Sequence, residues 1–201
     1  MLPRDRKYWT VVQYDDGPMV DFPFDCKVFA AGGKPDNAVA IPLVSDPLPI
    51  VPDLPKNLFC SMMCRINTHP IREKLIKALV NKEVVINEIY GPEYAKVIQG
   101  SKFTICPRGY GKTSFRLYEA IQLGTIPVYV SEEFWLPYSD KLDWNSFCVL
   151  IEEKQIPHIY DILKGINEDR YEEMMMNLLA VQDLFTYEGT FSAIKGILEN
   201  E

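Results

Sequence analysis

From Leu58 onward, short runs of consecutive apolar residues alternate with longer stretches in which apolar residues return every three or four positions. The first pattern marks buried strands and the second amphipathic helices. Strands at 58–64, 84–88, 102–106, 126–130 and 147–151 then alternate with helices at 70–82, 92–100, 113–123 and 156–165. Such alternation with short connections predicts an α/β fold, a Rossmann-like parallel sheet with helices on both faces. Two more helical stretches close the chain, 168–184 and 188–199, with Gly189 read as the break between them.

Before residue 56 the pattern changes. Most of the 15 prolines lie there, and apolar runs at 8–14, 27–31 and 38–44 are separated by the turn signals Asp16-Gly17 and Gly32-Gly33. This predicts a short, strand-rich N-terminal lobe without helices. The expected division is a truncated lobe over 1–55, a ligand-binding α/β domain over 56–185, and a C-terminal helix over 186–201 that folds back towards the lobe.

Length supports that division: 201 residues accommodate one full α/β domain and a smaller lobe, but not two complete nucleotide-type domains. With 21 Lys+Arg against 28 Asp+Glu, the net charge of -7 argues against general affinity for nucleic acid or anionic membranes. No apolar run reaches membrane-spanning length, so no membrane anchor is expected, and the N-terminus does not read as a signal peptide. The five cysteines, Cys26, Cys60, Cys64, Cys106 and Cys148, are odd in number and mostly set in hydrophobic stretches, and no Asn-x-Ser/Thr acceptor occurs. Free thiols and a cytoplasmic location are expected. Cys60, Cys64 and His69 lack a fourth ligand, so no metal site is expected there.

Candidate chemistry concentrates between Ser101 and Tyr118, where Lys102, Arg108, Lys112 and Arg116 stand with no acid. This island covers a strand end, the loop Pro107-Arg-Gly-Tyr-Gly-Lys-Thr-Ser, and the start of a helix. The carboxyl end of a parallel strand followed by a helix N-terminus offers free N–H groups and a positive dipole end, which suits a phosphate or diphosphate. On that helix Arg116 and Glu119 share a face. They read either as an exposed ion pair or as a cation for phosphate beside a carboxylate for ribose hydroxyls. Gly109-Tyr-Gly-Lys-Thr-Ser also looks like the end of a P-loop, which makes a nucleotide triphosphatase the minor alternative. Against it, Cys106 occupies the first glycine position and Pro107 has no N–H to offer.

The segment Phe103-Thr-Ile-Cys-Pro-Arg-Gly-Tyr-Gly-Lys-Thr-Ser-Phe-Arg-Leu-Tyr-Glu-Ala-Ile-Gln-Leu-Gly-Thr-Ile-Pro-Val, followed by Leu136-Pro and Leu142-Asp-Trp-Asn-Ser-Phe-Cys-Val-Leu-Ile-Glu-Glu, resembles the exostosin family, glycosyltransferase family 47. The likeness extends over 58–166, and more faintly to Gln13-Tyr-Asp-Asp-Gly and Ile41-Pro-Leu-Val. It implies the donor half of a GT-B fold and transfer of a sugar, with inversion, from a nucleotide sugar to a glycan or other hydroxyl acceptor. A UDP-linked donor is expected, with neither catalytic metal nor cofactor.

Carried over by position, the resemblance puts Arg108, Gly109, Gly111, Thr113, Ser114 and Arg116 at the diphosphate and Glu119 at the ribose. His69 and Arg72 would face the cleft from a helix capped by Thr68, with Pro70 in its first turn, and Asp143-Trp144 would serve packing and a helix start. The base would come from the N-terminal lobe, where Asp15 and Asp16 are the candidates, although Asp15-Asp16-Gly17 reads equally as a turn. Cys64 stands where the family pattern has glycine, and its side chain is expected to narrow the donor pocket. A lobe this short leaves the cleft open. Donor binding with weak transfer is therefore expected unless self-association or a partner chain completes the site, and a nucleotide-sugar-binding protein without catalysis is the alternative.

Overall fold

The runs at 101–107 and 126–131 are buried along nearly their whole length, as strands covered on both faces must be. They are the inner strands of the larger of two parallel sheets in the computed structural model, which describes residues 3, 6–15, 17–20, 25–88 and 91–200. That sheet contains β4 (Leu58–Met63), β5 (Val84–Asn87), β6 (Ser101–Pro107), β7 (Ile126–Ser131) and β8 (Val149–Glu152), in the order β5-β4-β6-β7-β8. The smaller sheet has the order β1-β2-β3, from β1 (Tyr8–Val12), β2 (Cys26–Ala30) and β3 (Val39–Ala40). Helices α1 (Pro70–Leu79), α2 (Pro92–Gln99) and α3 (Phe115–Gln122) connect the strands of the large sheet. α4 (Ile159–Lys164), α5 (Glu168–Val181) and α6 (Tyr187–Glu199) follow it.

The chain leaves β4 in one direction to reach β5 and returns past β4 to β6, so the strand order reverses between β4 and β6. With right-handed crossovers this sets α1 on one face and α2 and α3 on the other, and it opens a crevice at the carboxyl ends of β4 and β6. Register there is fixed by a buried polar pair, Ser61 Oγ donating to Thr104 Oγ1 at 3.0 Å across partnered residues. At the other end of the sheet Lys56 Nζ donates to Gln99 O, Ser101 O and Thr125 Oγ1 at 2.9, 3.1 and 2.9 Å, tying the entry of β4 to the end of α2.

Several element boundaries differ from the sequence expectation for local reasons. β3 stops after two residues because Pro42 has no N–H to continue the ladder. α1 ends at Leu79, with Asn81 at φ 64° turning the chain out of the helix. The helix expected over 156–165 divides into a 3-10 segment Glu153–His158, which contains Pro157, and then α4. Gly189 is no break: α6 begins at Tyr187, with Thr186 Oγ1 accepting from Gly189 N at 3.1 Å. Glycine is needed at this position because a Cβ would lie 2.1 Å from Asp183 O. Asp143 caps a 3-10 turn by accepting from Asn145 N, and the buried Trp144 donates to Pro137 O at 2.9 Å, the packing role expected for this pair.

The two sheets share one hydrophobic core. Phe29, Ala31, Ile41 and Leu43 from the lobe pack in the same cluster as the strands and helices of the large sheet. Trp135, from the connection after β7, inserts beside Val28 and Ala30 and donates to Ala30 O at 3.0 Å. Gln13 ties the two weakly matching pieces of the lobe together, donating to Pro42 O at 3.0 Å and accepting from Val44 N at 3.2 Å. α6 lies alongside β3, and Ala193, Ile194 and Ile197 face Val39, Ala40 and Ile41 across a narrow groove.

Cys60, Cys64, Cys106 and Cys148 are buried free thiols and Cys26 is half-buried. Burial pushes Cys60, Cys106 and Cys148 well above the usual thiol range. Thiol titration should therefore register Cys26 first in the native protein and all five after denaturation without reductant. A shortfall by pairs in the denatured sample would show disulfides instead.

Candidate active site

The crevice between β4 and β6 opens into a cleft of about 280 Å³ lined by Asp15, Arg65, Thr68, Arg72, Gly109, Tyr110, Ser114, Phe115 and Arg116. Each element delivers its part at a carboxyl end: Arg65 follows β4, Thr68 and Arg72 come from the turn into α1, and the loop after β6 leads into α3. Asp15 reaches in from the turn after β1.

Of the four cations in the 101–118 island, the structure brings one to the cleft. Lys102 pairs with Glu168 at 2.7 Å at the opposite end of the sheet. Lys112 pairs with Glu133 at 2.8 Å and Asp36 at 3.2 Å. Arg108 is directed into its own loop, donating to Gly111 O at 3.1 Å, to Tyr110 O at 3.2 Å and to Glu132 at 3.0 Å. Burial works against the Glu132 carboxylate, but the hydrogen bond from Arg108, a backbone hydrogen bond and the charges of Arg108 and His69 together hold its pKa below the usual range.

Arg116 differs from the other three. Its Nε donates to Met63 O, its guanidinium lies 5.1 Å from the Tyr94 ring centre, and its two terminal nitrogens have no hydrogen-bond or ion-pair partner among the described residues. No Arg116–Glu119 ion pair forms. Glu119 instead accepts a hydrogen bond from Tyr94 OH, which orients the carboxylate from α2. Ser114 stands at the N-cap of α3 with its hydroxyl buried and unpartnered.

Arg72 is 4% exposed and lies beneath the loop. It donates to Arg108 O at 3.1 Å, to Arg65 O at 2.6 Å and to Thr68 Oγ1 at 2.8 Å. Burial lowers its pKa and Arg116 lowers it further, while Cys64, Tyr110 and Asp15 oppose the shift. Burial raises the Cys64 thiol, and the charges of Arg72 and Arg116 pull the other way. The N-cap of α1 is His69 rather than Thr68: His69 Nδ1 accepts from Ile71 N at 3.3 Å, while Thr68 Oγ1 donates to Arg65 O. His69 is thus a cap whose other nitrogen faces Glu132 at 3.9 Å, outside the cleft lining. Its pKa is lowered by burial and then by Arg108.

The glycines of the loop have separate tasks. Gly109 N donates to Thr113 O at 3.0 Å, closing the loop on itself. A Cβ on Gly111 would lie 2.1 Å from Asp15 O and 2.6 Å from Gly32 O, so the lobe backbone presses directly on this position. Lys112 N donates to Gly32 O at 2.9 Å across the same seam. The buried Thr113 donates to Tyr118 OH at 3.4 Å. These bonds turn loop N–H groups into the protein, and Lys112 points away from the cleft, so the P-loop alternative fails on geometry. Asp16 lies outside the described residues. Arg65, Tyr94, Tyr110 and Phe115 had not been singled out by sequence. For Arg65 the available signal was its place just past a strand end at the reversal of strand order.

A sequence model of the Exostosin GT47 domain matches residues 33–166, two thirds of the chain. The chain belongs to the exostosin GT47 family. Among curated relatives, a probable glycosyltransferase of Arabidopsis thaliana is 35% identical over 123 residues, 60% of this chain and 24% of that protein. The Exostosin-1 homolog of Caenorhabditis elegans is 31% identical over 93 residues, 46% of this chain and 24% of that protein. The family member described here thus spans about a quarter of the length of these relatives. Among solved structures, TarM is similar over 96% of this chain and 49% of its own, with a TM-score of 0.56 at 12% identity. The pneumococcal O-GlcNAc transferase GtfA, solved with UDP and GlcNAc, is similar over 81% of this chain and 40% of its own, with a TM-score of 0.50 at 16% identity. At these identities the likeness is one of fold, the GT-B glycosyltransferase architecture. Among the described residues no helix is long and apolar enough to cross a membrane.

Proposed function

We propose that this exostosin-family domain binds a nucleoside diphosphate sugar, with UDP as the nucleotide, and transfers the sugar to an acceptor hydroxyl with inversion and without a metal ion. The observation that carries the reading is a pair of groups at the start of α3 that have no partner among the described residues, the Arg116 terminal nitrogens and the buried Ser114 hydroxyl. A guanidinium fork and a helix N-terminus meet diphosphate oxygens with charge and directed N–H groups together. Arg72, buried behind the loop without a carboxylate partner among the described residues, adds positive potential. As the bond from the anomeric carbon to the diphosphate oxygen breaks, the charge growing on the leaving group meets groups already in place. The attacking hydroxyl oxygen bonds to the anomeric carbon from the opposite face, and its proton passes to Asp15, the acid that the lobe brings to the cleft. Arg108, Gly109, Gly111 and Thr113 act in this reading by shaping the loop.

Calorimetry with UDP-sugars should show binding that EDTA leaves unchanged, and ATP with magnesium should not compete. Loss of binding on chelation, or preference for ATP with magnesium, would overturn the reading. Glu119, held by Tyr94, is assigned to the ribose hydroxyls. Wild-type protein should prefer UDP to 2′-deoxy-UDP about tenfold, and Glu119→Ala should bind the two alike. If the variant keeps the preference, the ribose assignment is wrong.

In a second reading the chain holds the donor but transfers sugar only with a partner chain. Donor binding without turnover in an acceptor array, from a sample shown to be monomeric, would select it.

A further inference from the structure

Two aromatic side chains flank the proposed phosphate-binding groups and have no role in the donor site as derived so far. Tyr110 is 64% exposed and Phe115 is 39% exposed, and both line the cleft. A single exposed aromatic is ordinary on a protein surface. Here the two stand on either side of Ser114, and the backbone that carries Tyr110 is fixed from several directions. Arg108 binds the carbonyls of Tyr110 and Gly111, Gly109 N binds Thr113 O, and Lys112 is held through its N–H by Gly32 and through its carbonyl by Tyr129 OH at 2.6 Å. The Tyr110 hydroxyl has no hydrogen-bond partner among the described residues, and its one electrostatic neighbour among the groups of the cleft is Arg72.

The order of groups along α3 and its leading loop gives these rings a place. Glu119 lies one turn further along the helix than Arg116 and is met there by Tyr94 from α2, and Ser114 and Phe115 stand at the start of α3 with Tyr110 beyond them. A nucleoside diphosphate sugar has the same linear order of nucleoside, phosphates and sugar. With ribose at Glu119 and phosphates at Arg116 and Ser114, whatever lies past the phosphates meets Phe115, Tyr110 and Asp15. Aromatic rings suit this position because one face of a pyranose presents C–H groups to their electron-rich surface, and a tyrosine gives up little side-chain entropy on contact.

We infer that Tyr110 and Phe115 form an aromatic platform that receives a pyranose ring beside the diphosphate. This inference rests on the donor reading above. The ring is either the donor's own sugar or the terminal sugar of the acceptor. The phosphate and ribose contacts are independent of the platform, so removing it should cost sugar affinity and leave nucleotide affinity intact.

Titration of wild type, Tyr110→Ala, Phe115→Ala and Tyr110→Phe with UDP and with a panel of UDP-hexoses tests the donor arm. Titration of the same proteins with methyl hexosides in saturating UDP tests the acceptor arm. In one arm the wild type should gain affinity from the sugar. Each alanine variant should lose that gain by about tenfold, Tyr110→Phe should keep most of it, and all four should bind UDP within twofold of each other. The arm that responds identifies the source of the ring. An absent sugar gain in both arms, an unchanged gain in the alanine variants, or an equal loss of UDP and UDP-hexose affinity overturns the platform while leaving the donor reading standing. If wild type binds no UDP, the donor reading fails and the platform fails with it.

Discussion

Arg116→Ala should reduce affinity for UDP and UDP-sugars at least tenfold while the protein still folds. Hydrogen bonds to charged groups contribute roughly 1.5–3 kcal/mol each, and Arg116 has two terminal nitrogens to offer. Its third nitrogen holds Met63 O at the end of β4, so part of the loss comes from a displaced strand end rather than a missing charge. Arg116→Lys separates the two contributions: it restores the cation without the planar fork and should recover only part of the affinity. Circular dichroism and melting temperature monitor the fold, and calorimetry reads the affinity. Wild-type affinity in Arg116→Ala would remove the diphosphate from this end of α3.

A large loss of stability from a single methyl group is expected at Gly111. Alanine there would drive its Cβ into Asp15 O at 2.1 Å and Gly32 O at 2.6 Å, and both obstacles are backbone. The lobe has to move or the loop has to shift, at a cost of about 3 kcal/mol. For a domain of this size that lowers the melting temperature by roughly 6–12 °C. Gly196→Ala is the matched control. It lies within α6 with nothing inside 4 Å of the added Cβ, so it should be neutral or stabilising. Differential scanning calorimetry of the two variants decides the matter; equal melting temperatures would show that the seam is loose.

The alternation of elements after Leu58 was legible because each strand and helix states its own periodicity within a dozen residues, and the large sheet formed as expected. The cation island was misleading for the opposite reason. Its acid-free stretch is a local fact, whereas the carboxylates that neutralise Lys102, Arg108 and Lys112 come from residues 168, 132, and 36 and 133. Folding selects which cations remain unpaired, and no window of sequence contains that information. The Arg116–Glu119 spacing was legible as a shared face, but the partner that separates the two residues, Tyr94, belongs to another helix. His69 displaced Thr68 as the cap of α1 because Arg72 and Arg65 O engage the threonine hydroxyl, a competition visible only in three dimensions.

Phe29, Ile41 and Leu43 are fully or almost fully buried in the same cluster as the central strands, and Trp135 reaches back to close over β2. The border at residue 55 is therefore a change of sequence style and not a seam along which the molecule comes apart. A fragment beginning at residue 56 would leave Trp135 without its cover and take away the carbonyls of Asp15 and Gly32 that back the loop. In calorimetric terms the two sheets are expected to melt as one unit, a single transition in a scan of the intact chain.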